Sequence, residues 1–271
     1  MHIDFRRAAR AAAFTLAVFA AGACSRAPIV PTPSPTPARE VRYATGESVV
    51  GAMHDRYAGR WYRTVTFRQK TSRLRPDGTW DVQTWYEALA LPGRLRIDFD
   101  PVSGGNGVLY ARDSQFVAAN GRLVRAEPGI NDLLLLGFDV YANPPERTDS
   151  LLRRQGFDLA RVHEDTLDGR RMLVVGARPG ETRRKQFWVD AERLLFVRLL
   201  EPDPRDSTRA QDIRFTNYQP RGTAWIAARV EIHSGGKLVF SEDYSDINTD
   251  VPLDESIFDP TPWRNPKLWV K

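Results

Sequence analysis

From residue 61 to residue 247 one device recurs: a short segment in which apolar and polar side chains alternate, a turn-forming pair, then another such segment. A period of two commits a segment to a pleated strand, because successive side chains leave a strand on opposite faces. The clearest case is residues 94–99, where Leu95, Ile97 and Phe99 share one side and Arg94, Arg96 and Asp98 the other. Read alone, that segment has one dry face and one solvated face. A chain that keeps repeating such segments must build a sheet, and the sheet must curl to hide its apolar side.

The segments can be followed in order. Trp61, Val65 and Phe67 alternate with Tyr62, Thr64, Thr66 and Arg68, and Arg75-Pro76-Asp77-Gly78 predicts a turn that closes a hairpin onto residues 80–89. Short strands follow at 107–111, 115–119 and 122–125, the last two joined by Asn120-Gly121. The second half continues at 171–177, 185–190, 194–200, 210–218, 223–233 and 237–247, with Gly235-Gly236 turning the last hairpin. Helical spacing is confined to 47–57, where Val49, Val50, Met53 and Tyr57 line one side and Thr45 or Gly46 is available as N-cap, to 131–141 around Leu133-Leu134-Leu135-Leu136, and to 150–156. The expected fold class is therefore mainly β (α+β), about eleven or twelve antiparallel strands with a few short helices covering the concave face.

The first residues have the three parts of an export signal: Arg6, Arg7 and Arg10, an apolar run over 11–21, and small residues before Cys24. A spanning helix needs roughly 20 apolar residues, so the run suits a cleaved signal better than a permanent anchor. Ala21-Gly22-Ala23-Cys24 resembles the lipobox of bacterial lipoproteins, and Cys24 is the only cysteine. An exported lone cysteine has no internal disulfide partner, and its position selects lipid attachment. Ordinary signal cleavage nearby is the alternative, because Ala21 stands where leucine is commoner. Pro28, Pro31, Pro33, Pro35 and Pro37 make the following stretch an extended spacer. The expected organisation is a signal peptide at 1–23, a lipidated N-terminus and Pro-rich tether at 24–40, and one β domain at 41–271.

Formal charge is +5, two units of which belong to the expected signal peptide, and only five of the 39 basic residues are lysine. No basic block is interleaved with aromatics, which argues against a nucleic-acid partner. His54, His163 and His233 lie far apart with no metal-ligand spacing, and no Gly-x-Ser-x-Gly or phosphate loop is present. Glu164-Asp165, Glu242-Asp243 and Asp254-Glu255 are adjacent pairs; on a strand such neighbours point to opposite faces, and all are read as solvated. The expectation is a protein without catalytic residues, metal or cofactor.

Phe67-Arg68-Gln69, Leu91-Pro92-Gly93-Arg94-Leu95-Arg96-Ile97, and Phe187-Trp188-Val189-Asp190 followed by 194–198 resemble, in order and spacing, the outer-membrane lipoprotein-sorting proteins related to the carrier LolA and the receptor LolB. The resemblance implies an unclosed, strongly curved antiparallel half-barrel with helices at its mouth and an apolar cavity for acyl chains. It implies a periplasm-facing protein whose partners are the membrane, lipid or lipoprotein acyl chains, and envelope proteins. Ser25 and Arg26 lack the aspartate that marks inner-membrane retention in that group, which favours the outer membrane. The chain departs from the carrier in being anchored, so transport by shuttling is in doubt. By alternation the inward candidates for lining the cavity are Trp61, Val65, Phe67, Leu95, Ile97, Phe99, Phe187, Val189 and Phe196, with Arg63 and Arg96 as candidate gate or headgroup contacts. The competing expectation is an envelope scaffold or assembly lipoprotein, which binds a protein and whose seven Trp and thirteen Phe fill the interior.

Overall fold

A computed structural model describes residues 43–263, all within the second of two compact units, 42–271. The expected signal peptide, Cys24 and the Pro-rich tether lie outside the described residues. Among those described, thirteen antiparallel strands form one unclosed sheet. They are β1 (Thr64–Leu74), β2 (Trp80–Ala90), β3 (Arg94–Phe99), β4 (Gly107–Ala111), β5 (Ser114–Ala119), β6 (Arg122–Pro128), β7 (Val162–Leu167), β8 (Arg170–Val175), β9 (Gln186–Asp190), β10 (Phe196–Asp203), β11 (Asp206–Arg221), β12 (Ala224–Ser234) and β13 (Lys237–Thr249).

The path of the chain fixes the shape. It enters the sheet at its middle, meanders outward from β1 to β6, crosses to the far edge, and meanders back from β7 until β13 pairs with β1. The crossing is made by α2 (Asp132–Gly137), a 3-10 turn at Asp139–Tyr141 and α3 (Pro145–Arg154), so helices necessarily lie across one face of the sheet. The opening helix, α1 (Gly46–Tyr57), packs against α3 and that 3-10 turn. Its N-terminus is capped by Thr45, whose side chain accepts from the Ser48 N–H while Ser48 reaches back. Asn131 caps α2 in the same way, accepting from Leu133 and Leu134.

Turn chemistry sets the hairpins. Gly78 has φ +86° and its N–H donates to the Arg75 carbonyl, which closes β1 onto β2 as Pro76-Asp77-Gly78 predicts. Three sequence expectations need correction. The strand count rises to thirteen because residues 162–167, where no strand is expected, form β7, which is joined to β8 through Asp168-Gly169, a turn with both φ values positive. Helix α3 begins at Pro145, five residues before the expected start, since proline is well tolerated at the first helical position. Trp61 and Tyr62 precede β1 instead of belonging to it.

The concave face carries the main core. Val65, Leu89, Leu95, Leu173, Val175, Phe187, Val189, Leu199 and Ile213 meet Val49, Val50 and Met53 of α1, Leu134–Leu136 around α2, and Leu151 and Leu152 of α3. Trp61 stacks on Tyr141 with ring centroids 3.9 Å apart, and Phe196 meets Phe215 edge-on at 4.9 Å. The convex face is covered where Ile257, Phe258 and Trp263 lie on Ala88, Ala90, Leu109, Ala111 and Ala118, and farther along it Met172, Val174, Trp188, Val197 and Leu200 of neighbouring strands pack together in a third cluster. Between the main core on one side and that third cluster on the other, every residue of β9 is buried. Contact between layers is close at Gly137, where an added Cβ would sit 2.6 Å from the Phe215 ring. Gly137→Ala is expected to force α2 off β11 and cost about 1–3 kcal/mol, read as a lowered thermal midpoint.

Candidate functional site

The helices cover only part of the concave face. Past Phe67 along β1, the strand register assembles a half-exposed trough from three neighbouring strands and the two beyond them. Gln69 stands between Trp85 of β2 and Tyr244 of β13, Thr71 stands opposite Glu242, and Arg73 stands opposite Phe240. Glu87 pairs with Phe67 on one side and Ile97 on the other, Trp85 pairs with Phe99, and Ile232 of β12 pairs with Phe240. Because strand side chains alternate, all of these project from the same face. Trp85, Ile97, Phe99, Ile232, Phe240 and Tyr244 are each only half-buried.

The aromatic contacts make this a continuous surface. Phe67 stacks on Tyr244 at 4.2 Å, and Trp85 lies 4.8 Å from Phe99 and 6.4 Å from Phe240. Arg73 sits over the Phe240 ring at the rim, 5.9 Å from its centroid. Two carboxyls interrupt the apolar surface. Burial pushes the Glu87 carboxyl well above the usual range, with neighbouring Glu242 adding to the shift. Burial likewise pushes Glu242 up to about 7, against the lowering effect of hydrogen bonds from Tyr244 and Gln69. The Tyr244 hydroxyl donates to Glu242 Oε2 at 2.6 Å, and Gln69 Nε2 donates to Thr71 Oγ1 at 2.8 Å. A surface of this kind can hold an elongated apolar group and present a small polar patch to one point along it.

Of the nine lining residues expected from alternation, Ile97 and Phe99 face the trough, and Phe67, only 4% exposed, belongs to the packed core at its inner end. Trp61, Val65, Leu95, Phe187, Val189 and Phe196 lie in the packed core beneath the helices. Arg63 is exposed at the entrance to β1, and its backbone N–H donates to Asp250 Oδ1 at 2.9 Å. Arg96 is not on a solvated face and is in no position to gate the concave side. It is completely buried on the convex side, where Nε and Nη2 donate to Asp98 at 2.8 and 3.0 Å, Nη1 donates to the Ile257 carbonyl at 2.9 Å, and the guanidinium lies 4.2 Å from the Trp263 ring centroid. The segment 255–263 turns what alternation reads as a wet face into a second interior.

Sequence reasoning missed Trp85, Glu87, Gln69, Phe240, Glu242 and Tyr244. It took Glu242-Asp243 as solvated. Asp243 does face away, pairing with Arg229, but Glu242 faces Glu87 across β1. The parity of each residue within its strand was legible; which strands flank β1 was not.

A second hollow of about 320 Å3 lies between the crossing helices and β3–β5, lined among others by Gly93, Tyr110, Asp113, Leu135, Asp139 and Asn143. None of the nine expected lining residues borders it. Asp113 is held low by Arg147 and Arg154, although its burial opposes the shift. Asp139 accepts the Gly93 N–H at 2.9 Å, tying the crossing to the loop between β2 and β3, and burial pushes its carboxyl up to about 7.

No protein-family model matches the chain, and no curated protein sequence matches it. Solved structures do. A DUF1329 family protein from Desulfovibrio piger is 17% identical with a TM-score of 0.53, covering 79% of this chain and 95% of its own. A domain described as an outer membrane lipoprotein-sorting protein, from Vibrio parahaemolyticus, is 13% identical with a TM-score of 0.50, covering 79% and 96%. A LolA superfamily protein from Nitrosomonas europaea is 15% identical with a TM-score of 0.48, covering 80% and 98%. The first two likenesses extend over nearly the whole of those chains, and at these identities they show a shared fold.

Proposed function

We propose that this chain, whose fold is shared with an outer membrane lipoprotein-sorting domain, is a non-enzymatic, lipid-anchored envelope protein that holds the acyl chain of a lipid or lipoprotein in its concave trough. The observation that supports the reading is the half-exposed aromatic surface of Trp85, Phe99, Phe240 and Tyr244, backed by the buried ring of Phe67. Left in water, that surface costs free energy in proportion to its apolar area, at about 25 cal/mol per Å2, and an acyl chain laid along it recovers the cost. Binding is then partition out of a membrane or a carrier, with no covalent step. The lipobox-like residues before Cys24 support the anchor, and the likeness to a lipoprotein-sorting domain supports an envelope location facing the periplasm.

Native mass spectrometry of the full chain, released from membranes in mild non-ionic detergent, tests the reading. Non-covalent phospholipid or lipopeptide that leaves on denaturation supports it; a bare mass that takes up no fluorescent fatty acid refutes it. Trp85→Ala is expected to weaken fatty-acid uptake at least tenfold, as loss of a central aromatic contact typically costs about 2 kcal/mol or more of binding. The fold should survive that change, because Trp85 is only half-buried.

A second reading, an envelope scaffold that binds a protein and holds no ligand, is favoured by one observation: seven of the nine expected lining residues are sealed in a filled core. A bare mass together with retained envelope partners would select it.

A further inference from the structure

Once its two carboxyls ionise, the trough described above has more hydrogen-bond acceptors than donors, and this surplus indicates the chemistry of its ligand. Glu87 is 6% exposed and receives no hydrogen bond from a described residue. Glu242 receives the Tyr244 hydroxyl, with the Gln69 side chain beside it, which leaves further lone pairs unused. Gln69 is fully buried between the two acids on β1; its amide nitrogen reaches into the trough, and its Oε1 has no partner. A buried acceptor left unmatched, as Gln69 Oε1 is, destabilises the free site and is relieved by a donor from a ligand.

We propose that the Glu87–Glu242–Gln69 patch is a binding site for a primary ammonium group carried on an apolar chain, that is, for the head of an amine-bearing amphiphile whose tail lies along Trp85, Phe99 and Phe240. This rests on the acyl-binding reading and deepens it. An ammonium carries three donors and one positive charge, which is the complement of what this patch offers: the Glu87 carboxyl, the spare lone pairs of Glu242 and the orphan Oε1 of Gln69. Charge-assisted hydrogen bonds of this kind are roughly twice as strong as neutral ones. The two acids repel each other when both ionise, and a cation between them removes that repulsion. An alcohol brings one donor and no charge, while a carboxylate adds a third negative group and no donor. The cations that belong to the chain are engaged elsewhere: Arg68 and Arg229 project from the opposite face, toward Asp246 and toward Glu231 and Asp243, and Arg73 lies at the rim over Phe240.

The test is isothermal titration of the full chain, held in amphipathic polymer at pH 7.5, with octylammonium, octanol and octanoate. Octylammonium is expected to bind at least tenfold tighter than octanol, and octanoate more weakly than octanol. In Glu87→Gln and Glu242→Gln the amine preference should fall to within about twofold of octanol while octanol binding persists. Equal affinity of the amine and the alcohol in the wild-type chain overturns the ammonium site and leaves acyl binding intact. Absence of binding by all three probes overturns the acyl reading and the site with it. A preference that survives in both variants also overturns the assignment to these acids. Should a variant fail to fold, the comparison of three probes on the wild-type chain still decides.

Discussion

Asp98→Ala is expected to lower the unfolding free energy by about 3–5 kcal/mol, because it strands the Arg96 guanidinium in an interior from which water is excluded. Arg96 and Asp98 are 0% and 1% exposed, and each of two guanidinium nitrogens donates to a different carboxylate oxygen. Asp98 remains above the usual carboxylate range because its burial outweighs the bonds from Arg96. The pair is thus poorly solvated on both sides, and its loss is asymmetric: removing one partner is costly, while replacing both by apolar residues of similar volume is often neutral or stabilising. A double change, Arg96→Met with Asp98→Leu, should therefore recover much of the loss. Denaturant unfolding of the three chains checks this. A single change costing less than about 1 kcal/mol would show that water reaches the pair.

The second large effect is a stability that declines as pH rises through neutrality. Asp139 is pushed up from its ordinary value to about 7 by burial, which the single bond from Gly93 does not offset. A carboxyl whose folded value is raised binds its proton more tightly in the native chain. Its contribution is complete below its unfolded value and is lost as pH rises through the folded one. For Asp139 alone the loss between pH 5 and pH 8 is on the order of 3 kcal/mol. Glu87 and Glu242 act in the same direction. The lowered carboxylates work in a different window: Asp212, despite its burial, is held down by Arg198 and Arg214, and Asp113 by Arg147 and Arg154, so they lose stability only as the solution becomes acidic. Stability should therefore peak near pH 5. Asp139→Asn keeps an acceptor for the Gly93 N–H and has no charge to bury, so it should flatten the decline and exceed the wild type at pH 8. An unchanged slope in that variant would assign the decline to the acid pair in the trough.

The two effects differ in how far the sequence pointed to them. Asp139 stands beside the apolar run of α2, and nothing within several residues shows that its carboxyl meets Gly93, which is 46 positions earlier. Arg96 and Asp98 follow a pattern that ordinarily marks a solvent face. Their burial depends on Ile257, Phe258 and Trp263, about 160 residues downstream. In both cases the deciding contact joins segments that no local pattern relates.

What the sequence determined by itself is what local physics determines. The period of two gave β1 through β6 and β8 through β13 to within a few residues, since it records which side chains share a face. Gly78, Asn120-Gly121 and Gly235-Gly236 placed hairpins, since their positive φ values suit those residues. The presence of few, short helices followed from the same periodicity. Tertiary structure alone decided three further things. It put β13 beside β1, which brought Glu242 and Glu87 to the same trough although they are far apart along the chain. It laid the crossing helices over Trp61, Phe187 and Phe196 but not over Trp85 and Phe240, which separated filled core from open surface. And it closed residues 255–263 over Arg96. Alternation fixes a face; whether that face meets water, another layer or a ligand depends on which distant segment packs against it, and that information is held in pairing and packing, not in spacing.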